Sequence, residues 1–349
     1  DNSPLQAMAP AIDLSQTDML EMSPEMLTFL DKNVRLTNSH NEQLRLLAYS
    51  VMQSGLFELV YDDSTRTAAD TFRAHRGNCL SFTNMFVAMS RHLGIDARYQ
   101  EVEIPPDWSM AGQTYLYSKH VNVFIDLGSS RTRIVDFNLY DYDARYDTRI
   151  IPANRARAHY FNNMGAEYML ADDTGLAFVH FQQSLREDDD FSPAWINLGI
   201  LHRREGHPDY AEVAYLQALD IERDNLMAMS NLANLYEEQG QPELAQDYIE
   251  KVESHRLRNP YYRYQKANAA FNEGDYETAK EDLAYAIRRR KDEDRFYYLM
   301  GLSYLMSGDR EQAREWMEKA EDVAKGNAEK QKYHHKLDLL SGLNNGQQP

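Results

Sequence analysis

The chain has 349 residues, 43% of them hydrophobic, and its 55 acidic against 37 basic side chains give a formal net charge of -18. That length holds about two domains with packed cores, and the acidity argues against nucleic acid and anionic membrane surfaces as partners. A single cysteine excludes an internal disulfide, and no run of about 18 apolar residues is present to span a membrane. The sequence starts at Asp1 without an initiator Met, which reads as a mature start after removal of an export signal and so as a periplasmic or exported chain. A trimmed cytoplasmic chain would start the same way.

In chain order, "SPEMLTFLDKNV" predicts a helix with Ser23 as N-cap and Pro24 at its first position. "NEQLRLLAYSVMQSG" predicts an amphipathic helix from Asn41 that ends at Gly55, and a short helix is expected near Thr67–His75. After Cys79, the apolar residues Phe82, Phe86, Met89 and Leu93 fall at helical spacing, and Gly94 ends the run. Strand-like runs follow at Ala97–Ile104, Lys119–Leu127 and Thr132–Asn138, the last two flanking "GSSR" as a hairpin turn. The order of helices and then an antiparallel sheet is that of an α+β domain.

From there the grammar changes. Gly206, Gly240, Gly274 and Gly308 are each 34 residues apart, as are Ala177, Ala211, Ala245, Ala279 and Ala313. Gly165, Gly199, Ala233, Ala267 and Gly301 form a third series at the same period. Three registers of small residues in phase identify this half as tetratricopeptide (TPR) repeats. Each unit is two antiparallel helices, with small residues where the helices approach and Gly in the turn. Large apolar residues (Trp195, Leu198, Leu232, Tyr236, Tyr298, Leu302) fill the core. Five repeats run from about Ala158 to Gly326, the first with Asp172 where the others have Gly. A helix near Ala328–Leu340 caps the stack, and "GLNNGQQP" is a frayed tail. The expected division is 1–155 for the thiol domain, 156–326 for the repeats and 327–349 for cap and tail.

Cys79 opens its helix, where unpaired N–H groups and the macrodipole favour an anion and therefore a thiolate. A thiolate nucleophile needs a proton acceptor, and that base needs an orienting group. His120 starts one strand of the expected hairpin and Asp136 lies in the other, so the carboxylate can reach the imidazole. If the Cys79 helix packs on this sheet, the three converge. The bland alternative is a buried, inert thiol with two unrelated polar residues.

The constellation Gly77–Asn78–Cys79, His120 and Val135–Asp136, within the flow "STRTAADTFRAHRGNCLSFTNMFVAMSRHLGIDARYQEVEIP", resembles the transglutaminase-like fold of the papain-like cysteine enzyme superfamily. The resemblance covers about Thr65–Asn138. It implies acyl chemistry: Cys79 attacks an amide carbonyl and forms a thioester, His120 acts as base and then acid, and Asp136 fixes the His120 tautomer. The Cys79 backbone N–H is a candidate oxyanion donor. Water as acceptor gives a hydrolase and an amine gives a transamidase. Many members carry an aromatic or acidic residue beside the cysteine, whereas this chain has "NCLS", which leaves the substrate class open. The family is frequent in bacterial envelopes and includes inactive domains, so a catalytically silent scaffold is the alternative function. No cofactor and no metal are implied.

In the repeats, Asn163, Asn197 and Asn231 recur at period 34, followed by Gln265, with Asn234 and Asn268 three residues beyond the ladder. They belong to the first helix of each repeat, which lines the concave face in this family. Amide side chains there could pair with the backbone of an extended peptide; the alternative is that Asn is merely tolerated at this helical position. The expected partner is therefore a protein or peptide. "REDDD" (186–190) reads as a helix end and loop rather than a metal site, His334 and His335 as solvated. "DFNLYDYDARYD" (136–147) reads as a connection to the repeats, or else as a rim for a cationic or sugar-like group.

Overall fold

In a computed structural model of the chain, the described residues are 3–52, 57–103, 120–128, 131–137, 146–324, 326, 330–335 and 337. Helix α1 (Pro24–Asn33) starts as its sequence demands, with Ser23 Oγ accepting the Met26 N–H at 3.4 Å. Helix α2 is His40–Met52; its expected end at Gly55 lies outside the described residues. A two-residue parallel pair, β1 (Val60–Tyr61) with β2 (Arg76–Gly77), brackets α3 (Ala68–Ala74), which Thr67 caps. Helix α4 (Cys79–His92) is buried from Leu80 to Ser90 and forms the spine of the domain.

The sheet has four antiparallel strands in the order β5-β4-β3-β6: β3 (Asp96–Val102), β4 (His120–Asp126), β5 (Thr132–Val135) and β6 (Thr148–Ile151). The fourth strand was not expected. Its run "TRII" is short and abuts a helix, so it carries little period-2 signal. Core residues Met85, Phe86 and Met89 of α4 pack with Tyr99, Val121, Val123, Ile125 and Val135 of the sheet. Strand β5 stops at Val135, so Asp136 lies just past the strand rather than within it.

The repeat region consists of helical hairpins. These are α5 (Ala153–Leu170) with α6 (Thr174–Glu187) and α7 (Ser192–Arg204) with α8 (Pro208–Ile221); α9 (Leu226–Glu238) and α10 (Pro242–Arg258) follow in the chain. Then come α11 (Pro260–Glu273) with α12 (Tyr276–Arg289) and α13 (Asp294–Met306) with α14 (Arg310–Val323). Helix α5 begins before the expected repeat start at Ala158. Asp172 holds the left-handed turn conformation (φ 59°) that Gly206, Gly240, Gly274 and Gly308 hold in the later hairpins. Residues 330–335 are helical; the expected tail lies outside the described residues.

Contacts divide the chain into two bodies, Asp1–Tyr248 and Ile249–Pro349. Within the first body, the N-terminal segment packs against the repeat helices. Leu5, on a 3-10 turn (Pro4–Met8), is fully buried among the hydrophobic residues of α6 and α7. Further along, the Met19 carbonyl accepts the Ala68 N–H, and Arg157 of α5 donates to the Thr17 carbonyl at 2.6 Å. Among the described residues, no helix is long and apolar enough to cross a membrane.

Candidate thiol active site

Cys79 is the first residue of α4 and is half-buried. Asn78 caps the helix, its Oδ1 accepting the Ser81 N–H at 2.9 Å. One turn on, Thr83 Oγ1 donates to the Val121 carbonyl at 3.2 Å. That bond ties the second turn of α4 to the strand residue after His120.

His120 opens β4. Its Nε2–H points at the Asp136 carboxylate, 2.8 Å from Oδ2 and 3.0 Å from Oδ1, and both side chains are 6% exposed. The register Val123↔Val135 continues to place Asn122 opposite Asp136, and strand alternation puts Asn122 on the face of His120. Asn122, fully buried, donates Nδ2–H to Asp136 Oδ2 at 2.8 Å. Phe137, next in the chain, packs on Phe82 and Phe86 of α4, with ring centroids 5.6 and 5.9 Å away, which holds the aspartate against the cysteine helix.

Burial by itself would lower the His120 pKa. Hydrogen bonds to Asp136 and Cys79, and the attraction of both, outweigh it and push the pKa up to about 9. With Nε2 engaged by the carboxylate, Nδ1 is the nitrogen left to serve the sulfur. The three predicted residues thus lie together, and their contacts favour the charged imidazole. Asn122, Thr83 and Phe137 are additions that the sequence reading missed. Only Asn122 left a signal, two residues from His120 on the same strand.

The asparagine ladder behaves differently. Asn197 is fully buried and donates Nδ2–H to Asn162 Oδ1 at 2.9 Å, joining α7 to α5. Asn231 is 2% exposed and donates to the Met227 carbonyl one turn back. These two rungs are not open: Asn197 is bonded within the helical array, and Asn231 is buried with Nδ2–H used on its own helix and Oδ1 without a protein partner. Asn163 and Asn234 are half-buried, and Gln265 and Asn268 are exposed. Among the described residues no group of three or more His, Cys, Asp or Glu side chains could hold a metal ion. Asp188 of the "REDDD" run pairs instead with Arg155 at 2.8 Å. His334 lies 3.3 Å from Glu321. Most of the acidic, tyrosine-rich stretch lies outside the described residues.

The site is thus a cysteine on a capped helix start beside a histidine–aspartate pair on an antiparallel hairpin. Comparison with known families agrees. The transglutaminase-like superfamily core matches residues 28–125, and tetratricopeptide repeat models match 192–225, 214–247 and 264–328. The chain thus carries a transglutaminase-like core domain over 28–125, followed by TPR repeats across 192–328. No curated protein matches it.

Among solved structures it is similar to the crystal structure of MamA, at 17% identity and TM-score 0.27, over 48% of this chain and 91% of that one. It is also similar to YrrB, described as a TPR protein with an unusual peptide-binding site, at 20% identity and TM-score 0.27, over 51% and 91%. The APC/C hetero-tetramer Cut9-Hcn1 matches at 20% identity and TM-score 0.28, over 53% and 36%.

Proposed function

We propose that the N-terminal domain is a thiol-dependent acyl-transfer enzyme that acts on a protein or peptide brought to it by the repeats. The Cys79 sulfur attacks an amide carbonyl, and the C–N bond breaks as His120 gives its Nδ1 proton to the departing amine. A thioester remains on Cys79. Water then yields the acid, or a second amine yields a new amide, with His120 taking the proton of the attacking group. Asp136 holds the imidazole through Nε2 and stabilises its positive charge. The Cys79 backbone N–H, at the open helix start, is placed to donate to the oxyanion.

The observation that carries this reading is the buried His120–Asp136 pair beside the only cysteine. On the repeats, the accessible amides Asn234, Gln265 and Asn268 are the candidates for peptide contact. The domain occupies 1–155 in this reading.

The test is the rate at which iodoacetamide labels Cys79 at pH 7. The wild-type chain should react at least tenfold faster than His120→Ala, because an activated thiolate is lost with its partner. Equal, slow rates in both would leave the domain as a binding scaffold.

A further inference from the structure

The turn that presents Cys79 is tied to the repeat helices by a short chain of hydrogen bonds. Glu167 projects from α5, the first helix of the repeat series, and its Oε1 accepts the backbone N–H of Thr65 at 2.6 Å. Thr65 Oγ1 accepts Nδ2–H of Asn78 at 2.7 Å, and Asn78 is the residue before Cys79. Asn78 Oδ1 accepts the Ser81 N–H, while Ser81 Oγ accepts the Arg66 N–H at 2.8 Å. The Asn78 N–H donates to the Ser64 carbonyl at 3.1 Å. Residues 64–66 therefore form a strap across the start of α4, and Glu167 holds the strap from behind.

The network has little slack. Thr65, Asn78 and Ser81 are 5%, 8% and 0% exposed. A Cβ added at Gly77 would come within 2.6 Å of Ser81 Cβ, so the backbone approaches the helix as closely as glycine allows. Glu167 is half-buried, and burial raises its pKa against the pull of its Thr65 bond and of Arg66. A carboxylate kept in such a place at a solvation cost has a structural task that an apolar residue could not perform.

We infer that Glu167 is a positioning residue through which the first repeat helix fixes the turn presenting Cys79 to His120. The inference rests on the reading of Cys79 as nucleophile. Without Glu167, the Thr65 N–H loses its anchor, the strap shifts, and Asn78, bonded to the Thr65 hydroxyl, moves the sulfur away from the imidazole. Sub-ångström placement matters at this point, because misplacement by about 1 Å can cost on the order of a hundredfold in rate.

The experiment measures iodoacetamide labelling of Cys79 in the full chain from pH 6 to 10, together with the melting temperature. Glu167→Ala should label about tenfold more slowly than wild type at pH 7. The gap should close near pH 10, where any accessible thiol is ionised. Glu167→Gln keeps an acceptor oxygen and should recover most of the rate. Thr65→Val removes the middle link and should slow labelling in the same pH-dependent way; it serves as well if Glu167→Ala does not fold.

Wild-type rates in Glu167→Ala or Thr65→Val overturn the inference. So does a deficit that persists at pH 10, which is general damage, and so does a Gln variant as slow as the Ala one. His120→Ala in the same series separates the two readings. If it labels at the wild-type rate, the proposed function fails. If it is slow while Glu167→Ala is not, only the positioning role fails.

Discussion

His120 stands between opposing forces, and the winner is set by one neighbour. Desolvation favours the neutral ring, whereas Asp136 at 2.8 Å and the sulfur favour the cation, and the result is a pKa of about 9. Removing the carboxylate leaves burial dominant. In Asp136→Asn the imidazole should titrate well below that of the wild-type chain, read as the pH dependence of its ring-proton NMR signal. The sign for stability follows from linkage. A histidine whose folded pKa exceeds its unfolded value of about 6.5 adds stability that is fully present below pH 6.5 and disappears as pH rises through 9. Cys79, His120 and Asp136 were legible in the sequence because each sits at an element boundary that capping or turn residues mark: Asn78 before α4, the start of β4, the end of β5. Asn122 was not, since a buried asparagine in "HVNVFID" reads as an ordinary strand residue until its partner across the ladder is known. Glu167 had no signal at all, its contact with Thr65 lying 102 positions away.

At the scale of elements, the 34-residue period revealed the hairpins because helix packing imposes it through residue size. A Cβ at Gly199 would lie 2.5 Å from the Tyr215 ring, on the facing helix α8. Gly199→Ala must push that ring aside, and Tyr215 is itself fully buried in the core. The overpacking should cost about 1–3 kcal/mol, measured by chemical denaturation. An equal or higher stability would mean that α7 and α8 can separate without loss. The same period misled on the asparagines. Periodicity fixes which helical position a residue holds, but not whether its amide is used by a ligand or by the next helix. Asn197 bonds Asn162 of α5, so the rung is a clamp within the array. Strand β6 was lost for the opposite reason: its four residues have a partner, β3, that lies far back in the chain.

For the whole molecule, charge and packing divide the chain at the same place. Basic and acidic side chains balance over residues 249–349, so the entire net charge of -18 is carried by residues 1–248, the first compact body. That body holds both the thiol domain and the first repeats, and its acid response is readable in one buried imidazole. His202 of α7 is 3% exposed, stacked on Tyr210 at 5.2 Å, with no hydrogen-bond partner for Nδ1. Burial, with a smaller contribution from His207, lowers its pKa to about 4. The unfolded chain takes up a proton near pH 6.5, whereas the folded chain resists until about pH 4. The His202 contribution is therefore constant above pH 6.5 and costs stability as pH drops toward 4, by up to about 3 kcal/mol. Carboxylates titrate in part of that window, so the decisive quantity is a difference. His202→Phe keeps the ring stacking and removes the titration, and its melting temperature should fall less than that of the wild-type chain between pH 6.5 and 4.5. Parallel curves for the two proteins would mean that His202 can reach water in the folded state, and that the acid sensitivity of this body lies in its carboxylates instead.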